Sequence, residues 1–222
     1  MGHTDKDPAR EAQGAEALPL AHGYDCALVA ARLRKWKGVL EQFSLPEWGE
    51  LPDFGLYMDQ VLALLGRYLD FIPAGEESDR TVTASTVNNY VRLKIMPAPV
   101  KKKYNRVHLA YLLMICTLKQ NLSIAGVQKL MPLGLSEDEV RARYSAFAAR
   151  HRQVSERFVR EAEAAAAPIL RRDGGSEAVD ALITSFAVCA GLSRLLTEKL
   201  LGLQGKQAET VPDELLPALP NE

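Results

Sequence analysis

From Val140 to Phe158, the residues Val140, Tyr144, Phe147, His151, Val154 and Phe158 advance in steps of four, three, four, three and four. That spacing fits a helix with a narrow packing seam and no strand. Ser136 in front of it is a capping residue, and Glu137, Asp138 and Glu139 suit the positive end of a helix. The seam can close on a neighbouring helix of the same chain or on a second copy, and the spacing allows both. Asp173-Gly174-Gly175-Ser176 then marks a turn. Ser176 is placed to cap a last helix running to about Leu201, rich in Ala, Gly, Ser and Leu and suited to close packing.

The same periodicity appears upstream. Residues 24–43 alternate apolar and basic residues around Leu28, Leu33, Trp36 and Leu40, with Asp25 as cap. Leu45-Pro46-Glu47-Trp48-Gly49-Glu50-Leu51-Pro52 reads as an extended connection that tucks Trp48 and Leu51 against the core. Asp53 is the expected cap of a helix from Phe54 to Phe71, in which Tyr57, Val61, Leu64 and Tyr68 mark a wide apolar face. A loop, 74–80, follows.

Charge is distributed unevenly. The chain has 28 acidic and 27 basic residues among 222, yet Thr81 to Leu135 contains no Asp or Glu. Arg92, Lys94, Lys101, Lys102, Lys103, Arg106, Lys119 and Lys129 all fall in that stretch. A local field of this sign points to a polyanionic partner. Within it, Thr83 can cap a helix from Ala84 to about Lys94, with Val87, Tyr90 or Val91, and Ile95 facing inward. Ser85, Thr86, Asn88, Asn89 and Arg92 then face outward, side chains of the kind that meet phosphates and base edges in a major groove. Met96-Pro97-Ala98-Pro99 stops the helix. Lys101-Lys102-Lys103-Tyr104 places charge at the tip of a two-stranded wing, 97–104. Asn105 caps a helix from Arg106 to Gln120 with Leu109, Leu112, Leu113 and Cys116 as core, and Ser123 caps a short one through Leu130.

Two resemblances rest on these residues. Thr86-x-x-x-Tyr90, Ile95-Met96-Pro97, the basic wing, Tyr104-Asn105-Arg106-x-x-Leu109 and Leu122-Ser123-Ile124 resemble the winged helix-turn-helix of the mercury-resistance-regulator (MerR) type. Leu45-Pro46-x-Trp48-x-x-Leu51-Pro52-Asp53-x-x-Leu56-Tyr57-Met58-Asp59-Gln60 is part of a second pattern. With Asn88-Asn89-Tyr90-Val91, Pro99-Val100-Lys101-Lys102-Lys103-Tyr104 and Ile115-Cys116-x-Leu118-Lys119-Gln120, it is similar to a bacterial family called domain of unknown function 1836. This second likeness spans residues 28–131. It implies a cytoplasmic protein with a winged-helix module and no assigned activity.

The expected fold is all-α with a small β wing: a MerR-like winged helix-turn-helix plus a C-terminal helical hairpin. Residues 1–23 are expected to be a disordered tail and 24–131 a helical layer with the winged helix. Residues 135–203 form the hairpin, which dimerises or senses a ligand, and 204–222 a flexible tail. The expected function is sequence-specific binding of double-stranded DNA by a dimeric transcription regulator, with helix 84–94 in the major groove. The candidate contacts are Thr83, Ser85, Thr86, Asn88, Asn89, Tyr90, Arg92, Lys94, Lys101, Lys102, Lys103, Tyr104 and Arg106. The alternative is a scaffold whose basic face binds an acidic protein. The chain has no P-loop, GxGxxG or GxSxG, so no enzyme is expected. Cys26, Cys116 and Cys189 form no CxxC pair and fit core thiols in a reducing compartment. The four histidines have no metal spacing, and neither a metal nor another cofactor is expected. The apolar run Ala181 to Leu192 is shorter than a bilayer core requires, so no membrane partner is expected.

Overall fold

The computed structural model describes residues 23–42, 44–69 and 82–207. Among these residues there are eight α-helices and no strand: α1 (Cys26–Gln42), α2 (Met58–Tyr68), α3 (Ala84–Arg92), α4 (Arg106–Leu118), α5 (Ile124–Leu130), α6 (Glu137–Ala165), α7 (Ala167–Leu170) and α8 (Ser176–Gly202). A single 3-10 turn covers Trp48–Glu50. The expected N-terminal tail, the loop 74–80 and most of the expected C-terminal tail lie outside the described residues.

The core is assembled around α4. Nine of its thirteen residues, His108 to Cys116, are buried. Leu109, Leu112, Leu113 and Ile115 lose all contact with solvent. Val61 and Leu65 of α2, Val87 and Tyr90 of α3, Val127 of α5 and Val140 and Tyr144 of α6 close around it. Trp48 and Leu51 are buried in the same core, as the two flanking prolines suggested. Tyr144 donates its hydroxyl to the Pro46 carbonyl (2.7 Å), and Tyr111 donates to the Pro132 carbonyl (2.6 Å). Both phenols are thereby satisfied inside an apolar core, where an unpaired hydroxyl would be costly.

A second, smaller cluster joins Ala30 of α1, Ile169 of α7 and Val179 of α8. On α1 the inward residues are therefore Cys26, Val29, Ala30 and Leu33. Leu28, expected as an anchor, is 55% exposed, because the inner face is set by where α7 and α8 meet α1. Asp25 caps α1 as expected, accepting from the amides of Ala27 and Leu28 (2.9 and 3.0 Å).

Other helix ends differ from the reading of the sequence. Asp53 does not cap α2. Leu56 first pairs with Tyr104 in an isolated antiparallel bridge, which holds the backbone extended and delays the helix to Met58. Gln60 then accepts from the Tyr57 amide (2.9 Å). Tyr57, expected on the apolar face, is 54% exposed. Ser176 is the first residue of α8, not its cap. Its hydroxyl accepts from the Tyr24 amide (3.0 Å), tying the start of α1 to the start of α8. Thr83, Asn105, Ser123 and Ser136 cap α3, α4, α5 and α6 as expected.

The seam on α6 divides in two. Val140 and Tyr144 are buried in the main core, whereas Val154 and Phe158 are 48% and 36% exposed. α7 turns the chain, and α8 returns to the neighbourhood of α5. There Lys129 Nζ donates to the Leu201 carbonyl and Gln204 to the Lys129 carbonyl, each at 3.1 Å.

Between its two ends α8 leaves a broad apolar face open. Val188, Leu192, Leu195, Leu196 and Leu200 are each more than half exposed, as is Leu203 just past the helix. The apolar run Ala181 to Leu192 is only the middle of this helix. Ser176–Gly202 is 27 residues long and contains an 18-residue stretch of mean hydropathy 1.6, so by length and composition it is able to cross a membrane.

Candidate nucleic-acid interface

The exposed side of α3 follows from its inner one. Val87, Tyr90 and Ile95 are fixed in the core, which at helical spacing turns Ser85, Asn88 and Arg92 to solvent. Thr83, Ser85, Thr86, Asn88, Asn89 and Arg92 line one open, shallow depression that holds no apolar side chain. Not all their polar atoms are free. Thr83 Oγ1 accepts from the Thr86 amide (3.2 Å) and lies 3.0 Å from Thr86 Oγ1, so this pair serves the helix start. Arg92 donates to Asn89 Oδ1 (2.8 Å), so these two side chains engage each other. Ser85 and Asn88 remain the unengaged polar side chains on this face.

α3 ends in a Schellman turn. The Ile95 amide donates to the Tyr90 carbonyl and the Lys94 amide to the Val91 carbonyl, both at 3.0 Å. This geometry needs a left-handed residue, usually glycine, yet Lys94 occupies it at φ 54°.

Two lysines repeat that pattern at the expected wing. Val100 and Lys103 exchange backbone hydrogen bonds (3.1 and 2.9 Å), closing a hairpin whose tip is Lys101-Lys102. Both tip residues have positive φ, 49° and 62°. A two-residue hairpin of this kind favours Asn-Gly, and each side-chain-bearing residue held left-handed costs on the order of 1 kcal/mol. The wing is thus two isolated bridges, Val100 with Lys103 and Leu56 with Tyr104. The Leu56 and Tyr104 backbones exchange hydrogen bonds at 2.7 and 2.8 Å.

His108 braces the hairpin from below. Its Nδ1 accepts from the Asn105 amide (3.1 Å) and its Nε2 lies 3.1 Å from the Ala98 carbonyl, to which it donates in that tautomer. Burial lowers the pKa of this imidazole, and the Ala98 bond opposes that only in part. Lys103 does not project with its neighbours. Its side chain lies across Gly55, where an added Cβ would come within 2.9 Å of it, and its Nζ sits 5.5 Å from the centre of the Tyr57 ring.

Three expected contact residues are instead structural. Tyr90 is 6% exposed and burial pushes its phenol up to about 12, so it is a core residue. Tyr104 is 3% exposed, its ring edge-on to His108 at 5.5 Å. Arg106 donates from Nε to the Leu51 carbonyl (2.9 Å) and lies over the Trp48 ring, fixing the connection before α2. Lys119 and Lys129 also donate to backbone carbonyls, of Leu122 and Leu201. The exposed cations of the acid-free stretch are therefore Arg92, Lys94, Lys101, Lys102, Lys103 and Lys129, the last held at its Nζ by the Leu201 carbonyl.

Reading the sequence missed the buttress of Gly55, Tyr57 and His108 and the left-handed lysines. Asn105-x-x-His108 has the spacing of a capping box with His in place of Glu or Gln, a signal that could have been used. Lys101-Lys102 carries no turn signature at all. Among the described residues no group of three His, Cys, Asp or Glu is placed to hold a metal ion. Cys116 is buried, and burial pushes its thiol up to about 12, whereas Cys189 is exposed, unlike the core thiol expected there.

The structure thus defines a mostly helical protein with a capped polar helix and a cationic hairpin on one acid-free segment. The family model described as Domain of unknown function (DUF1836) matches residues 46–147, which supports the resemblance to that family over a little less than half of the chain. The matched segment contains α2 to α5, the hairpin and the start of α6. No curated protein matches the chain. No solved structure matches it.

Proposed function

We propose that the protein is a DNA-binding transcription regulator of the winged-helix kind. The exposed side of α3 would lie in the major groove with Lys101 and Lys102 on flanking phosphates. The observation that carries this reading is the hairpin tip. Two adjacent lysines are kept in a backbone conformation that a glycine would occupy more cheaply, so charge at this point outweighs ease of turning. Ser85, Asn88 and Arg92 supply the short polar and bidentate groups that read base edges. The order of two helices, hairpin, two helices and a long helix agrees with the MerR-like resemblance.

The second partner in this reading is another copy of the chain, seated on the outer face of α8. A patch of this size on a protein surface needs a cover. α8 is bound at its first turns to α1 and α7 and at its last to α5, so inserting it in a bilayer would break both attachments. Glu177 and Asp180 lie near its N-terminal end and Lys199 near its C-terminal end. Antiparallel pairing with a second α8 sets acid against base, whereas parallel pairing sets like against like. A dimer also presents two α3 faces to two half-sites.

The test is a titration of the purified chain with a labelled duplex from its own upstream region and with a scrambled duplex, at two salt concentrations. The reading predicts tighter binding to the first and weaker binding to both as salt rises. Replacing Lys101 and Lys102 by Ala should lower the salt slope by up to about 0.9 per lost phosphate contact. An unchanged slope and affinity would remove the hairpin from the interface.

A further inference from the structure

Beneath the middle of α8 the packing opens. Between its two attachments the inner side of the helix offers the small side chains of Ala190, Ser193 and Thr197. Opposite them are Phe147 and Val154 of α6, with Leu118 at the end of α4 and Leu122 in the connection to α5 completing the lining. The result is a hollow of about 440 Å³, within the size range of small-molecule sites. Protein interiors pack densely, and water in this hollow wets the apolar side chains that line it.

Charge gives the hollow a preference. Arg150 and Arg194 stand among the lining residues, and none of those residues is Asp or Glu. Arg194 contacts Glu198 at 3.0 Å, an exposed pair one helical turn apart that is readily exchanged for another partner. Arg150 has no carboxylate partner among the described residues. A second cleft, between α1 and α6, also has apolar walls, but its Lys37 is paired with Glu163 at 2.7 Å and its Arg34 donates to the Leu170 carbonyl at 2.8 Å. Among the cations lining these two clefts, Arg150 under α8 is the one that no carboxylate or carbonyl of the described residues engages.

We propose that the hollow between α4, α6 and α8 binds a small amphiphilic anion, an apolar body bearing one carboxylate. The apolar body would replace water against Leu118, Leu122, Phe147 and Val154. The carboxylate would be held by Arg150, with Arg194 beside it, in a charge-assisted bidentate contact. This site is independent of the DNA-binding reading and survives its failure. If both hold, the ligand acts on the regulator through α8, whose outer side is the proposed dimer face.

The test is calorimetric titration of the full chain with decanoate, decan-1-ol and decyltrimethylammonium. Decanoate should saturate at one per chain and bind at least about tenfold more tightly than either of the others, as a charge-assisted pair implies. The paired change Ala190→Leu and Ser193→Leu fills the hollow and should abolish binding while circular dichroism stays helical. Arg150→Gln should weaken decanoate about tenfold and leave decan-1-ol unchanged, which decides the matter even if the filled variant misfolds. Leu28→Ser, on the exposed side of α1, should leave decanoate binding as it is. Absence of saturable binding, equal binding of the cation, or undiminished binding to the folded filled variant would each overturn the proposal.

Discussion

α4 and α8 are both strongly apolar helices, yet nine of thirteen residues are buried in α4 and only Val179 of the 27 in α8. The difference lies in position. α4 is central, with α2, α3, α5 and α6 around it, so each of its faces has a protein neighbour. α8 spans from α7 to α5 along the outside and meets the body mainly at its ends. Apolar composition says that a face must be covered, and the fold decides by what. For α4 the cover is the chain itself, and for α8 we assign it to a second copy outside and an amphiphilic anion within.

Replacing Leu112 of α4 by Ala should show the largest effect, a loss of about 2–5 kcal/mol in denaturant unfolding, because the side chain is wholly enclosed. The matched change on α8, Leu192→Ser with Leu196→Ser, removes more than half-exposed side chains. It should leave the unfolding of dilute protein nearly unchanged and convert dimer to monomer in sedimentation. A loss of several kcal/mol at all concentrations would mean that α8 is stabilised within its own chain.

Acidity separates the regions again. Burial lowers the pKa of His108 and His151 below the ordinary 6.5, so below that pH the unfolded chain binds more protons than the folded one. Stability is then full above about pH 6.5 and declines as pH falls, by at most about 1.4 kcal/mol per pH unit for each histidine. Urea midpoints at pH 7.5 and 5.5 measure it, and His108→Gln should reduce the difference by keeping the cap neutral. The smallest effect is expected at the hairpin. Lys101→Asn with Lys102→Gly suits the left-handed tip and should raise stability by about 1 kcal/mol while weakening DNA binding. Gains in both would remove the case for strain kept in the service of charge.

The helices were legible because their signals are local. Val140 and Tyr144 announced α6, Thr83, Asn105, Ser123 and Ser136 announced four helix starts, and Val87 and Ile95 fixed the inner side of α3. What was not legible depends on distant partners. Asp53 lost its role because Leu56 pairs with Tyr104, 48 positions along the chain. Arg106 carries the charge of a phosphate contact but is used by Leu51 and Trp48. Tyr90 and Tyr104 are amphipathic, and nothing near them in sequence says which end prevails. On the outer side of α3, Ser85, Asn88 and Arg92 emerged where the helical period put them.

The most direct test of the central claim compares the wild-type chain with the Lys101→Ala, Lys102→Ala variant on the same duplex across a salt series. The account predicts salt-sensitive binding by the wild type, with a shallower slope and weaker affinity for the variant at unchanged thermal stability. Absence of binding by the wild type at low salt, or identical slopes for the two proteins, would contradict it.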